Sequence, residues 1–124
     1  MGCPPLLTDY SAWRERLVSG MVAFFYTAEW LDQRLDEGSA FFFASDRAAM
    51  VVEFVAFPTG VVAVKAVVAA GDTRAMIQDL GPAVLEWAAA NGATAAMIES
   101  RTGWKRLMRK HGFQEFTTTL VKVL

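Results

Sequence analysis

Three apolar runs rich in Phe and Val, Ala40 to Ser45, Ala48 to Phe57 and Val61 to Ala69, are separated only by Asp46-Arg47 and Pro58-Thr59-Gly60. Nothing else in the chain restricts its fold as much. Short apolar runs bounded by turn-forming residues read as strands. Gaps this short join antiparallel neighbours, because a parallel connection needs a dozen or more residues. The sequence therefore predicts an antiparallel three-strand meander, and a hairpin loop of Pro58 to Gly60 pairs Phe57 with Val61.

The flanks change period. Tyr10, Trp13, Leu17, Met21 and Phe24 recur at steps of three and four, which predicts an amphipathic helix from about Asp9 to Phe24. Thr27 is suited to cap a second helix carrying Trp30, Leu31 and Leu35 and ending at Gly38. After the meander, Thr73 is suited to cap a helix with the stripe Ile77, Leu80, Val84, Trp87 and Ala88. Gly81-Pro82 should kink or divide it, because proline has no N–H to donate. Ala93 to Glu99 reads as a short strand, Thr102 to Gly112 as a capped basic helix, and the Thr- and Val-rich Phe113 to Leu124 as a last strand. The fold class is α+β, with the meander extended by two C-terminal strands into a mixed sheet and helices packed on it. All 124 residues form one domain, with 1–8 expected to be mobile.

Composition narrows the function. With 54% hydrophobic residues the chain can build a core, and its net charge of −1 supplies no global field for nucleic acid. The uncharged stretches Leu17 to Ala28 and Trp87 to Ile98 fall short of the ~20 apolar residues of a membrane-spanning helix. One Cys and one His exclude a disulfide and argue against a zinc module. The start, Met1-Gly2-Cys3-Pro4-Pro5, has no basic n-region or apolar h-region, so the expected setting is cytoplasmic.

The stretch Gly103-Trp104-Lys105-Arg106-Leu107-Met108-Arg109-Lys110-His111-Gly112-Phe113 resembles the late helix of the GNAT superfamily of N-acetyltransferases, in which Leu-Tyr-x-x-x-Gly-Phe precedes a strand. The resemblance runs from about Thr27 to Leu124. It extends to the small, reduced GNAT-like proteins encoded in phages and prophages, whose Glu-Gly-Arg-x-Gly-Trp is similar to Glu99-Ser100-Arg101-Thr102-Gly103-Trp104. It implies N-acyl transfer with acetyl-CoA as cofactor, and a virion setting if the chain is phage-encoded. Two departures fall where that chemistry would occur. The family's Arg/Gln-x-x-Gly-x-Gly/Ala turn, whose amides hold a pyrophosphate, is replaced by Ala69-Ala70-Gly71-Asp72-Thr73-Arg74, with Asp72 at the helix start. Met108 stands where a tyrosine would give a proton to the leaving thiolate.

The catalytic candidates are two carboxylates. Glu53 is a lone acid on a meander strand, of the type that the family uses to deprotonate an amine; the loop register also sets it opposite Lys65, which gives a cross-strand ion pair. Glu99 ends the strand before the basic helix, where open sheets place ligands. The cofactor-binding candidates are Arg74, Arg101 and Arg106. In the run from Arg101 to His111, helical spacing turns Trp104, Leu107, Met108 and His111 inward and the cations outward. Phe42 faces one side of the sheet and Phe41 and Phe43 the other, so helices on a single side would leave an apolar patch for a protein partner or homodimer. Two functions stay open: a GNAT-type acyltransferase, and a non-catalytic GNAT-like protein acting through protein contacts as a virion component or host-directed factor.

Overall fold

The structure, a computed structural model, describes residues 10–99 and 102–124, leaving out the side chains at 102, 103 and 105. The expected mobility of 1–8 and the role given to Arg101 lie outside the described residues. The elements run α1 (Tyr10–Ser19), α2 (Ala28–Asp36), β1 (Phe41–Ala44), β2 (Ala48–Ala56), β3 (Val62–Gly71), α3 (Thr73–Ala75), a π-helical segment (Met76–Leu80), α4 (Gly81–Ala90), β4 (Ala95–Ile98) and α5 (Thr102–Arg109).

The sheet order is β1-β2-β3-β4. The first three strands form the antiparallel meander, and β4 joins β3 in parallel. The fold is thus a mixed α+β sheet with helices on both faces, so no Phe face is left bare. Phe42, Ala49, Val51 and Val68 pack under Trp13, Leu17, Leu31 and Leu35 of α1 and α2. Phe43, Val52 and Val64 pack on the other face under Met76, Leu80, Val84 and Ala88. The Trp87 ring meets Phe41 at 5.0 Å, Phe43 at 4.9 Å and Phe54 at 5.3 Å there. Edge-to-face or tilted contacts of this kind add to the burial of apolar area.

Local chemistry explains the boundaries. Thr27 accepts from the Trp30 N–H and starts α2, while Gly38, at φ 76°, follows its end. Asp32 of α2 accepts from Tyr10 Oη at 2.7 Å and from Arg14 Nε and Nη2 at 2.8 Å, which ties α2 to α1. The Arg14 guanidinium holds the Asp32 carboxyl below its ordinary range, while burial and then the bond to Asp32 push the Tyr10 hydroxyl up. Pro82 opens α4, and the bonding irregularity it forces falls on the π-helical segment before it, so the expected division is present.

Three expectations need correction. α1 stops at Ser19 instead of continuing to Phe24, since Met21 N–H turns back to the Val18 carbonyl and Gly20 meets β3 at Val68. Asp72, not Thr73, caps α3. Phe113 to Leu124 forms no strand, so one C-terminal strand, not two, extends the meander. Strand propensity needs an adjacent edge before it produces a strand, and among the described residues no strand pairs with this segment.

Candidate functional site

β3 carries the site because its two sides are treated differently. Along β2 it is paired throughout, except that the register moves from Val51↔Val68 to Val52↔Ala66 and leaves Val67 as an extra residue, a β-bulge. Along β4 pairing begins at Ala63↔Ala95 and ends at Ala66↔Ile98, just before that bulge, while β3 runs on to Gly71. Among the described residues, β3 from Val67 onward has no strand on its β4 side.

A row of alternating charges crosses the sheet beside this opening. Glu53 and Lys65 are register partners, as the hairpin loop predicts. Their ion pairs, however, go elsewhere. Arg34 Nη2 of α2 reaches Glu53 Oε2 at 2.8 Å, and Lys65 Nζ reaches Glu99 Oε1 at 2.6 Å. The bond to Glu99 is the main reason that the Lys65 ammonium titrates above its ordinary value; partial burial opposes it, and the charges of Glu99, Glu53 and Tyr26 add to it. The row reads Arg34, Glu53, Lys65, Glu99 from α2 across β2 and β3 to the end of β4. Arg34 also lies over the Trp30 ring at 5.7 Å, and among the described residues its Nε is buried with no hydrogen-bond partner.

A general base needs a lone pair directed at the proton it removes. Glu53 Oε2 is turned to a guanidinium and Glu99 Oε1 to an ammonium, so each carboxylate candidate enters the row through one of its oxygens. Sequence reasoning missed Arg34. The available signal was its place beside Leu31 and Leu35, at the border of the buried stripe of α2.

The second half of the expected site is the turn from β3 to α3. Asp72 Oδ1 accepts from the N–H of Arg74 at 2.8 Å and of Ala75 at 3.3 Å, and its Oδ2 lies 3.7 Å from Arg47 Nη2. Arg74 Nε turns to Gln78 Oε1 at 3.3 Å. Gly71, at φ 104°, is needed for the chain itself, since a Cβ there would sit 2.4 Å from the Arg47 carbonyl oxygen. A depression of about 190 Å³ opens here between Arg47, Asp72, Arg74, Gln78 and Asp79.

The amides of this turn are already bonded within the chain. An anion here would compete with Asp72 for the N–H groups of Arg74 and Ala75, beside the carboxylates of Asp72 and Asp79. Arg106 is exposed on α5, and neither Arg74 nor Arg106 enters the charged row. Met108 is half-buried on the same helix, where its thioether offers no proton. No group of three or more metal-ligating side chains occurs among the described residues, nor is any described helix long and apolar enough to cross a membrane.

No family model matches the sequence, and no curated protein matches it. Solved structures do. Glucosamine-6-phosphate N-acetyltransferase from Arabidopsis thaliana aligns over 98% of this chain and 95% of its own, with a TM-score of 0.63 and 17% identity. An acetyltransferase from Trypanosoma brucei aligns over 98% and 97%, with a TM-score of 0.66 and 14% identity. A predicted acetyltransferase with acetyl-CoA from Clostridium acetobutylicum aligns over 98% and 94%, with a TM-score of 0.67 and 12% identity. The chain has the GNAT acetyltransferase fold. At these identities the likeness extends to the backbone alone.

Proposed function

We propose that this protein is a GNAT-fold relative of the N-acetyltransferases that has lost acetyl-CoA-dependent transfer and acts through protein contacts. The observation that supports it is the Asp72 carboxylate on the Arg74 and Ala75 amides, because those donors would otherwise face a pyrophosphate. The row Arg34, Glu53, Lys65, Glu99 agrees with it, since each candidate base is held by a cation. The sequence resemblance to phage and prophage GNAT-like proteins suggests a virion component or host-directed factor as the setting.

A second reading, retained N-acyl transfer, draws on the stretch of β3 beyond the Val67 bulge that has no described strand on its β4 side, where a ligand has backbone groups to bond. Thermal unfolding with acetyl-CoA separates the two. At a thousandfold excess over Kd, a ligand that binds only the native state stabilises it by ~4 kcal/mol and moves Tm by several degrees. No shift is expected. Asp72→Asn keeps a good cap while removing the charge, so a shift gained only in that variant would identify the carboxylate as the barrier. A saturable shift in the unaltered protein, with acetyl transfer to an amine that is lost in Glu53→Gln or Glu99→Gln, would establish the second reading.

A further inference from the structure

The loop from α1 to α2 exposes aromatic rings and holds them in place. Val22 is 51% exposed, Phe24 64%, Phe25 54% and Tyr26 37%. The loop is fixed from within, since the N–H groups of Phe25 and Tyr26 both donate to the Val22 carbonyl at 3.0 Å and Thr27 caps the helix that follows. Its rings form a connected chain: Phe24 meets Phe25 at 5.1 Å, Phe25 meets Tyr26 at 6.3 Å, and Tyr26 meets Trp30 of α2 at 4.8 Å. An aromatic side chain can bury roughly 150–250 Å², so at these exposures the loop leaves an apolar surface on the order of 400 Å² in water, a size at which patches on a single chain are often functional.

The charge beside the rings indicates what would cover them. Glu29, Gln33, Asp36 and the C-capping Glu37 recur at steps of three and four along α2, and all four are exposed. The remaining acid of α2, Asp32, is taken by Arg14, and its one cation, Arg34, is taken by Glu53. The outer face of α2 is therefore negative from its first turn to its last. Cations also suit the rings themselves. Where the chain's own guanidinium groups reach an indole they lie on it, Arg16 on Trp13 at 3.7 Å and Arg34 on Trp30 at 5.7 Å. Among the described residues, no cation lies over Phe24, Phe25 or Tyr26.

We propose that residues 22–26 and the outer face of α2 form a docking surface for a Lys- or Arg-rich segment of a partner protein, whose apolar side chains cover the Phe24 and Phe25 rings and whose cations meet Glu29, Asp36 and Glu37. The charge selects this occupant over the others. A nucleic acid or an anionic lipid surface would bring like charge against α2. A second copy related by a two-fold axis would set the same patch against itself, acids facing acids. The aromatic patch is about half of the ~800 Å² that one partner gives to a standard interface, which suits a short segment and a weak, reversible complex. The inference rests on the protein-contact part of the function proposed above and names the class of partner. Loss of acetyl-CoA binding is a separate part, decided by its own thermal shift, so either can fail without the other.

Fluorescence anisotropy of a labelled peptide of alternating lysine and leucine, about twelve residues long, titrated with the full chain, tests it. A glutamate–leucine peptide and vesicles of phosphatidylcholine and phosphatidylserine serve as competing probes. The lysine peptide should bind saturably in the micromolar range, and more weakly as salt rises. The glutamate peptide and the vesicles should not bind. The double variants Phe24→Ser with Phe25→Ser, and Glu29→Lys with Asp36→Lys, alter exposed side chains outside the core, so the far-UV circular dichroism should be retained while each weakens binding by about tenfold or more. No saturable binding up to millimolar chain, undiminished binding in both variants, or binding to the vesicles instead of the peptide overturns the proposal. A two-chain mass by light scattering that the Phe24→Ser, Phe25→Ser variant halves would give the patch to a second copy, and would overturn it equally. Acetyl transfer from acetyl-CoA to the bound peptide would leave the docking surface standing and overturn the proposed loss of activity.

Discussion

The two sides of β3 differ in how they were joined to it. β2 arrives through the short Pro58 to Gly60 loop and pairs from Ala56↔Val62 to Ala48↔Gly71. β4 arrives only after α3, the π-helical segment and α4, and pairs from Ala63↔Ala95 to Ala66↔Ile98. A tight turn fixes register locally, whereas a crossover leaves register to packing. The first side holds the stability of the molecule. The second holds its opening and its half-covered helix.

The largest test of that division is Phe42→Ala on the meander side. Phe42 is 1% exposed between α1, α2 and the sheet, and truncating such a side chain costs about 3–5 kcal/mol. Chemical denaturation of this variant should show that loss. A loss below about 1 kcal/mol would mean that the meander core is not where stability resides.

Gly71→Ala comes next. The strain of φ 104° and the 2.4 Å approach to the Arg47 carbonyl oxygen fall at the last β2–β3 pair, so the end of β3 has to move. A destabilisation of about 2–3 kcal/mol is expected. Unchanged stability would show that the turn adapts, and would remove the steric reason for a glycine there.

On the β4 side, Trp104→Ala should cost less, about 1–2 kcal/mol, because the ring touches the second core cluster but is only half-buried. Equal losses from Trp104→Ala and Phe42→Ala would erase the distinction between the two sides. The sequence alone predicts full burial for Trp104, since helical spacing identifies an inward stripe and gives no measure of how much sheet lies beneath it.

The same limit separates what could be read from what could not. The meander, the Thr27 cap, the division at Gly81-Pro82 and the facing of Glu53 and Lys65 all depend on residues a few positions apart, or on one short loop. The partners of those two charges do not. Arg34 comes from α2 and Glu99 from beyond β4, and only the packed sheet brings them to either end of the pair. Residues 113–124 show the converse error. Their pattern is correct for a strand, but a strand also requires a free edge at the right place.

The smallest effect probes the charged row where the two sides meet. The folded state raises the Lys65 pKa above its ordinary 10.5, chiefly through the bond to Glu99. A raised lysine contributes stability that is complete below its unfolded pKa and is lost as pH rises through the higher folded value. Glu99→Gln should therefore be slightly less stable than the unaltered protein from neutral pH to about pH 10, with the gap closing in more alkaline solution. Glu99 is largely exposed and water screens the pair, so the gap should be at most ~1 kcal/mol and should narrow further in salt. Denaturation midpoints for the two proteins across pH and ionic strength measure it. A gap that widens above pH 10, or that ignores salt, would mean that Glu99 acts on the fold through something other than Lys65, and the row would end at β3 instead of reaching across the opening to β4.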